Sequence, residues 1–587
     1  MAHPRARFLI AVIPCILAAP RGLPAQIAPT LAATWGGSGT DWLGGARIDP
    51  LTGNYVAVGA TESFGRSRDF LLVQFTPAGA TILPVVTWGS AGVDELNDVA
   101  VAGTGPTAGI YAAGWTDGYQ THAQDLDILV VKFPWGPSAP APWAVTWTGN
   151  GGTAEHADGA FSAPSGDVYL VGGMETPNGT EDVLLLRFTP PASGPPTTTL
   201  AQARWGHPND SESLNGVTVD QSAGAVHVSV TGTRYTAAGG QDILVQQYDA
   251  NLNLRWAHTW GGVGLADAWS IVSDAAGNLH VIGQYQAAVG APSDALVMKW
   301  SHSGTLLWTA ILGGPGDESL GGIAFDCVGN LLLTGQANPT ATPGQEVGLF
   351  FKLDADGNLL WAQTCQAAGA QRIGLLGQPT VPDCADVLVT GDGTGAAGAM
   401  LVPWTPPTFA RSTSTALVGT PNPMPAVDHT ITGQFVPRTA APAANPGTAA
   451  GRDGWLLRYP GATTSFLPAC PARPTSAGGP VLDFTTNASL GQPLGIRRTS
   501  ASPAPLTALL LGVPLAPLPL QPYGGTVPGA AICISPLVVE FRLGTSPTLV
   551  SMPIPFDPGF CGVTFDAQWI DLPELGNSAV GRFRIGL

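Results

Sequence analysis

Carboxylates are the reactive side chains that recur most regularly in this chain, and they recur in two columns. Asp41, Asp94, Glu155, Asp210, Asp267 and Asp317 each follow a Trp-Gly corner, or the residue that replaces it, within one loop. Asp69, Asp127, Asp182, Asp242, Asp294 and Asp453 each open a run of β-formers. Brought to one end of a fold, the two sets would make an acidic ring able to hold calcium or a polar polymer such as a glycan. A neighbouring pair such as Asp94 and Glu95 could exchange protons across a cleft, as a carbohydrate hydrolase or lyase requires. The competing account is that each Asp caps its own loop by accepting backbone N–H groups. Recurrence in nearly every unit favours that account, because a ligand site needs only some of the units.

Other reactive groups form no constellation. No Gly-x-Ser-x-Gly elbow, His-Glu-x-x-His helix or phosphate loop occurs. His122, His156, His207, His258, His302 and His429 are scattered over loops and strand ends, while His227 and His280 fall in second strands, where packing accounts for them. The segment Asp354-Ala355-Asp356-Gly357-Asn358 invites a calcium reading. Its counterparts Asp249–Asn253 and Ser301–Gly304 keep the turn but hold one carboxylate and none, which reads as a hairpin. The sequence therefore assigns no catalytic residue, no cofactor and no metal ligand; calcium on the acidic end stays open.

These residues sit on a repeat. Trp35, Trp88, Trp147, Trp205 and Trp260 recur roughly every 55 residues, with Leu312 and Thr364 holding the place later. Each unit reads as four short strands. The first ends at a Gly-Asn turn, as in Gly321–Asp326 and Gly329-Asn330. The second ends in a glycine, which returns as Gly59, Gly114, Gly172, Gly232, Gly283, Gly335, Gly391 and Gly433. The third is the Asp-led run, with Lys132, Arg187, Lys299, Lys352 or Arg458 five residues on. At ~3.3 Å per residue that cation is ~16 Å from its own Asp, too far to pair along the strand. The fourth ends in Trp, as in Asn358-Leu359-Leu360-Trp361. Periodicity near two, or continuous apolar runs, with Gly, Asn and Asp in the turns, excludes helix. Four antiparallel strands per unit is one propeller blade, and its apolar runs fit a sheet covered on both faces.

The pattern Trp-Gly-Gly…Asp…Ile-Ala-x-Asp-x-x-Gly-Asn…Gly…Asp…Lys-x-Asp-x-x-Gly…Trp resembles the bacterial extracellular β-propeller repeat family of SBBP type. The resemblance covers 31–460 and is fullest between 205 and 361. It implies an all-β propeller of about eight four-stranded blades; seven closed blades with one divergent copy is the other count. It also implies a binding or scaffold role outside the cell. Residues 466–587, richer in Pro and Leu, resemble a C-terminal β-sandwich module of secreted planctomycete and myxobacterial proteins, which implies no activity.

Bulk properties bound the partners. Of 587 residues, 44% are hydrophobic and 11% charged, with net charge −17, and the only lysines are the three named above. A nucleic-acid backbone is thereby excluded as partner. Arg5 and Arg7 ahead of the apolar run Phe8–Ala19, with Leu23-Pro24-Ala25 before Gln26, read as a signal peptide over 1–25. No later stretch reaches the ~18 apolar residues of a membrane span. The expectation is a secreted or cell-surface monomer whose partner is an extracellular glycan or protein. Export permits disulfides; with Cys15 inside the signal segment, Cys365 with Cys384 and Cys470 with Cys533 are the expected pairs among fifteen pairings of the six cysteines that remain.

Overall fold

The computed structural model describes the strand Leu31–Trp35, most residues from 40 to 367 apart from short loop segments, and the strands alone beyond that. Side chains are described within 40–364. Every described regular element is a strand, and between residues 31 and 460 they form seven antiparallel sheets. Blade four is representative: Ser211–Asp220, His227–Tyr235, Gln241–Asp249 and Leu254–Trp260 pair in chain order. The innermost strands are Asp41–Ile48, Asp94–Ala102, Glu155–Ser162, Ser211–Asp220, Ala266–Ser273, Glu318–Phe325 and Ile373–Leu376. Each of the first six neighbours the next, and Asp41–Ile48 returns to lie against blade seven, so the sheets close into a propeller.

Apolar runs become buried sheets because each blade is sandwiched between two others. The strand Tyr55–Thr61 is buried throughout. The core lies between blades rather than within them. One cluster joins Tyr111, Val130 and Trp147 of blade two to Ala157, Leu170 and Leu184 of blade three. Another joins Val245 and Trp260 of blade four to Ile271, Val281 and Met298 of blade five. At ~25 cal/mol per Å² of apolar surface removed from water, this repeated inter-blade burial dominates the fold's stability.

The structure settles the blade count left open by the sequence at seven among the described residues. The seventh blade is assembled from three parts of the chain. Ile373–Leu376 and Asp386–Gly393 are its inner strands, Asp453–Pro460 the third, and the N-terminal Leu31–Trp35 the outermost. Trp35 thus ends a fourth strand whose partners lie more than 400 residues later. Joining the two ends of the repeat in one sheet removes the free edges an open array would expose.

Gly433, counted in the sequence as a second-strand glycine, and the segment around 398–404 have a different use. Between the second and third strands of blade seven the chain runs outside the ring and adds a fifth strand to other blades. Ala399–Pro403 pairs with blade six, Thr408–Ser412 with blade five, Asn422–Pro423 with blade four and Gly433–Arg438 with blade two. Beyond 460, strands pair only among themselves. One sheet holds Thr463–Phe466, Gly581–Arg584, Thr564–Leu572, Leu506–Pro519 and Ala531–Arg542, and a second holds Val481–Phe484, Pro493–Thr499 and Thr548–Pro553.

The recurrent second-strand glycine has a physical cause. Six innermost strands carry a β-bulge at one shared place, after Leu43, Leu96, Ala157, Leu214, Ala268 and Leu320. The bulge presses the preceding carbonyl against the second strand. A Cβ on Gly114, Gly172, Gly232, Gly283 or Gly335 would lie 1.8–2.0 Å from that oxygen. The Gly after Trp has a related reason: a Cβ at Gly206 or Gly261 would strike the carboxylate of Asp182 or Asp242 on the paired third strand.

Candidate functional site at the bulged inner strands

The bulge register shows which acidic residues are truly equivalent. Two positions before the aligned Leu or Ala stand Asp41, Asp94, Glu155, Glu212 and Glu318, with Ala266 in blade five. All five acids are at most 1% exposed. The glutamates use this burial to close the loop between blades. Glu155 accepts the N–H of Gly149, Glu212 that of His207 and Glu318 that of Gly314. Burial raises Glu212 to about 7 and Glu318 to about 8.

Asp210, Asp267 and Asp317 lie four, one and three residues before the aligned position, so the column read from sequence mixes registers. Asp210 takes the Arg234 guanidinium and the Ala237 N–H, which outweigh burial and hold it low. Asp267 accepts the Thr233 hydroxyl, and burial raises it. Asp317 accepts the Ser293 N–H at 2.9 Å, and Asp41 accepts the Ser63 hydroxyl at 2.7 Å.

Among the third-strand acids, Asp127 accepts the Thr148 hydroxyl and Asp182 the Arg204 guanidinium. Burial raises Asp69 to about 6, with Asp94 contributing, and raises Asp242 and Asp294 as well. The two sets thus share one end of the blades, and the structure places Asp41, Asp94, Asp127, Asp182 and Asp210 in its interior. The third-strand cations reach a partner the sequence reading passed over, the acid at the first hairpin of their own blade. Arg187 pairs with Asp167, Lys299 with Asp274 and Lys352 with Asp326.

What breaks the repeat is the bulge column itself and the residue before the aligned position. The bulged residues are Gly44, Asn97, Asp158, Asn215, Trp269 and Gly321. Two of them link successive innermost strands: Asn97 donates to the Ala157 carbonyl and to Asp158, and Asn215 donates to the Ala268 carbonyl. In blade three the preceding residue is His156. Its Nε2 lies 2.9 Å from Asp158, 3.3 Å from Glu181 and 3.2 Å from the Ser213 hydroxyl. Burial opposes a charge on this ring, but the hydrogen bond and charge of Asp158, with Glu181 behind it, raise it to about 9. Burial, with Asp158 adding to it, raises Glu181 above the usual carboxylate range.

His156, Asp158 and Glu181 are a quarter to a third exposed, so this charged group meets solvent. Two large exposed aromatics follow on blades four and five. Tyr235 is 48% exposed and feels the charges of Asp267 and Glu181; Trp269, two residues after Asp267, is 40% exposed. Ser213 and Asp158 address the same imidazole nitrogen, so the three do not form a serine-hydrolase relay, which needs both nitrogens. The cluster can instead present one fixed cation and two carboxyls to a ligand, with the exposed Tyr235 close enough to feel the charge of Glu181.

Sequence reasoning left His156 among the scattered histidines and did not single out Tyr235 or Trp269. The usable signal was the pair of columns flanking the aligned residue, which hold His156 and Trp269 and have no consensus; Tyr235, at the end of a second strand, lies in neither. His227 and His280 are not equivalent either: they lie five and three residues before their glycines. His280 does pack, against Trp308 and Phe325, and burial lowers it to about 3.

In the suggested calcium segment, Asp354 accepts the N–H groups of Asp356 and Asn358 and the Asn358 side chain. Asp354→Ala is expected to cost about 1 kcal/mol, equally in calcium and in chelator, as read by thermal melting. The segment 1–25, Cys384 and Cys470 lie outside the described residues, as do the Cys365 and Cys533 side chains. Among the described residues no helix is long and apolar enough to cross a membrane.

No family model and no curated protein matches this chain. Among solved structures it is similar to a fungal alcohol oxidase of the AA5 family in complex with copper. The identity is 11% over 96% of this chain and 100% of that one, with a TM-score of 0.32, a likeness too loose to carry an argument.

Proposed function

We propose that this protein is a secreted, non-catalytic binding propeller of the SBBP type, whose ligand is a neutral or amine-bearing extracellular glycan held over blades three to five. The observation that carries the reading is the place at this end of the blades where the repeat is overwritten: His156 clamped by Asp158 and Glu181, with Tyr235 and Trp269 exposed on the two blades that follow. Aromatic faces cover the apolar side of a sugar ring, and fixed carboxyls accept its hydroxyls or ammonium groups. The net charge of −17 disfavours uronate or sulfated polymers. The export-type segment over 1–25 and the resemblance to extracellular repeats support the location, and the 466–587 region fits an accessory or attachment module.

Binding to an immobilised polysaccharide panel tests this. Trp269→Ala and Tyr235→Ala are each expected to weaken binding of the retained glycan at least tenfold with the dichroism spectrum unchanged. Unchanged affinity in both variants, or capture of sulfated polymers alone, contradicts the reading. A second reading, a glycan hydrolase or lyase, rests on Glu181 and Asp158 facing one imidazole from two sides, since a pair of neighbouring carboxyls is what such a reaction divides its work between. Release of reducing ends or unsaturated sugars from the same panel, abolished by Glu181→Gln, would favour it.

A further inference from the structure

At the opposite end of the blades, the hairpin turns of neighbouring blades are tied by a repeated device. The acid after the first strand takes the third-strand ammonium of its own blade: Asp274 with Lys299 at 3.2 Å and Asp326 with Lys352 at 2.7 Å. Lys299 also donates to the Ala355 carbonyl in the second hairpin of the next blade, as Arg187 does to Ala250. The junction of blades four and five departs from this at three positions. Asp220 keeps the acid, but the lysine position holds Gln247. The position of Asn278 and Asn330 holds His227, and that of Ala250 and Ala355 holds His302.

These substitutions converge. One oxygen of Asp220 and one ring nitrogen from each imidazole lie within 4.8 Å of one another. Asp220 Oδ1 and His227 Nδ1 are 3.5 Å apart, close to the ~3.4 Å that separates tetrahedral neighbours around an ion with bonds near 2.1 Å. The two rings meet edge to face at 4.2 Å. His227 is 5% exposed, and its Nδ1 and the Nδ1 of His302 are both buried without a hydrogen-bond partner. Rigid hairpins hold the ligands: Asp220 and His227 are cross-strand partners, and the His302 carbonyl accepts the Trp256 indole N–H.

We propose that Asp220, His227 and His302 form a two-histidine, one-carboxylate site for a divalent first-row transition metal, which clamps blade four to blade five where the repeat elsewhere uses lysine. Imidazole and carboxylate donors suit zinc, nickel or copper(II) rather than calcium or magnesium, which prefer all-oxygen shells. Among the described residues, the cation beside the site is the Arg255 guanidinium, 3.2 Å from His302 Nε2. It sits on an exposed side chain, so it can turn to solvent when a metal enters.

The full chain without a polyhistidine tag, stripped with chelator and titrated with zinc, tests this. One equivalent should bind at micromolar affinity or tighter and raise the melting temperature by a few degrees. His227→Asn and His302→Ala restore the residues other blades use at these positions, so both should fold, and each should weaken binding at least tenfold. Gln247→Lys puts the usual ammonium beside Asp220 and should also displace the metal, whereas Arg255→Gln should bind at least as tightly as the unaltered chain. The proposal falls if the unaltered chain takes up no stoichiometric zinc, or if uptake survives both histidine substitutions. Loss of glycan binding would not bear on it, since that ligand lies at the other end of the blades.

Discussion

Gly283→Ala is expected to lower the stability of the propeller by about 3 kcal/mol, seen as a large downward shift of the urea or thermal midpoint. The new methyl would stand 1.8 Å from the Asp267 carbonyl oxygen. That oxygen belongs to backbone fixed by the bulge between Ala268 and Ser270, so no side-chain rotation relieves the clash. Gly224→Ala is the matched control. Its Cβ would meet nothing within 4 Å, and its φ of +77° costs only the left-handed strain of about 1 kcal/mol. Equal effects at the two sites would mean that the second-strand glycine answers to something other than the bulge.

The second large effect is a dependence of stability on pH set by the buried glutamates. Glu318 titrates near 4.5 in a free chain and about 8 when folded; for Glu212 the folded value is about 7. A carboxyl raised in this way binds its proton more tightly in the folded state. Its contribution is therefore fully present below pH 4.5 and is lost as pH rises through the folded values. His156, raised to about 9, adds stability that is complete below 6.5 and declines as pH rises through 9. His280, lowered to about 3, acts in the opposite sense: its contribution is present above 6.5 and lost as pH falls through 3.

The melting temperature should accordingly fall between pH 5 and 9. Glu318→Gln keeps an oxygen for the Gly314 N–H and removes the ionisation. With one pKa unit worth about 1.4 kcal/mol and some relaxation allowed, it should be more stable than the parent at pH 8.5 by on the order of 3 kcal/mol. The advantage should vanish near pH 5. Parallel pH profiles for parent and variant would show that Glu318 is already ionised at neutral pH.

Local chemistry made the repeat legible. The glycine within the second strand, the Asp that opens the third and the Trp-Gly corner that closes the fourth each report a contact made once per blade, so they recur with the blade. Trp361, expected to end a fourth strand, instead lies near the start of Leu359–Ala367, because that strand runs on to the next corner. Asp182 against Gly206 and Asp242 against Gly261 are such contacts. The sites were less legible for the same reason: they consist of departures from the repeat, and a departure has no period to reveal it. His156 and Trp269 look like loop noise until the bulges align the columns. Asp220, His227 and His302 span more than 80 residues and two blades.

Sequence by itself determined that this chain builds four-stranded blades and that most of its carboxylates serve them, because both follow from interactions within one unit. Tertiary structure alone decided that the ring closes at seven, with Leu31–Trp35 completing the last blade and the segment after Gly393 pairing along the outside. It also decided which departures from the pattern meet, because closure and convergence depend on distances between units that no single unit encodes.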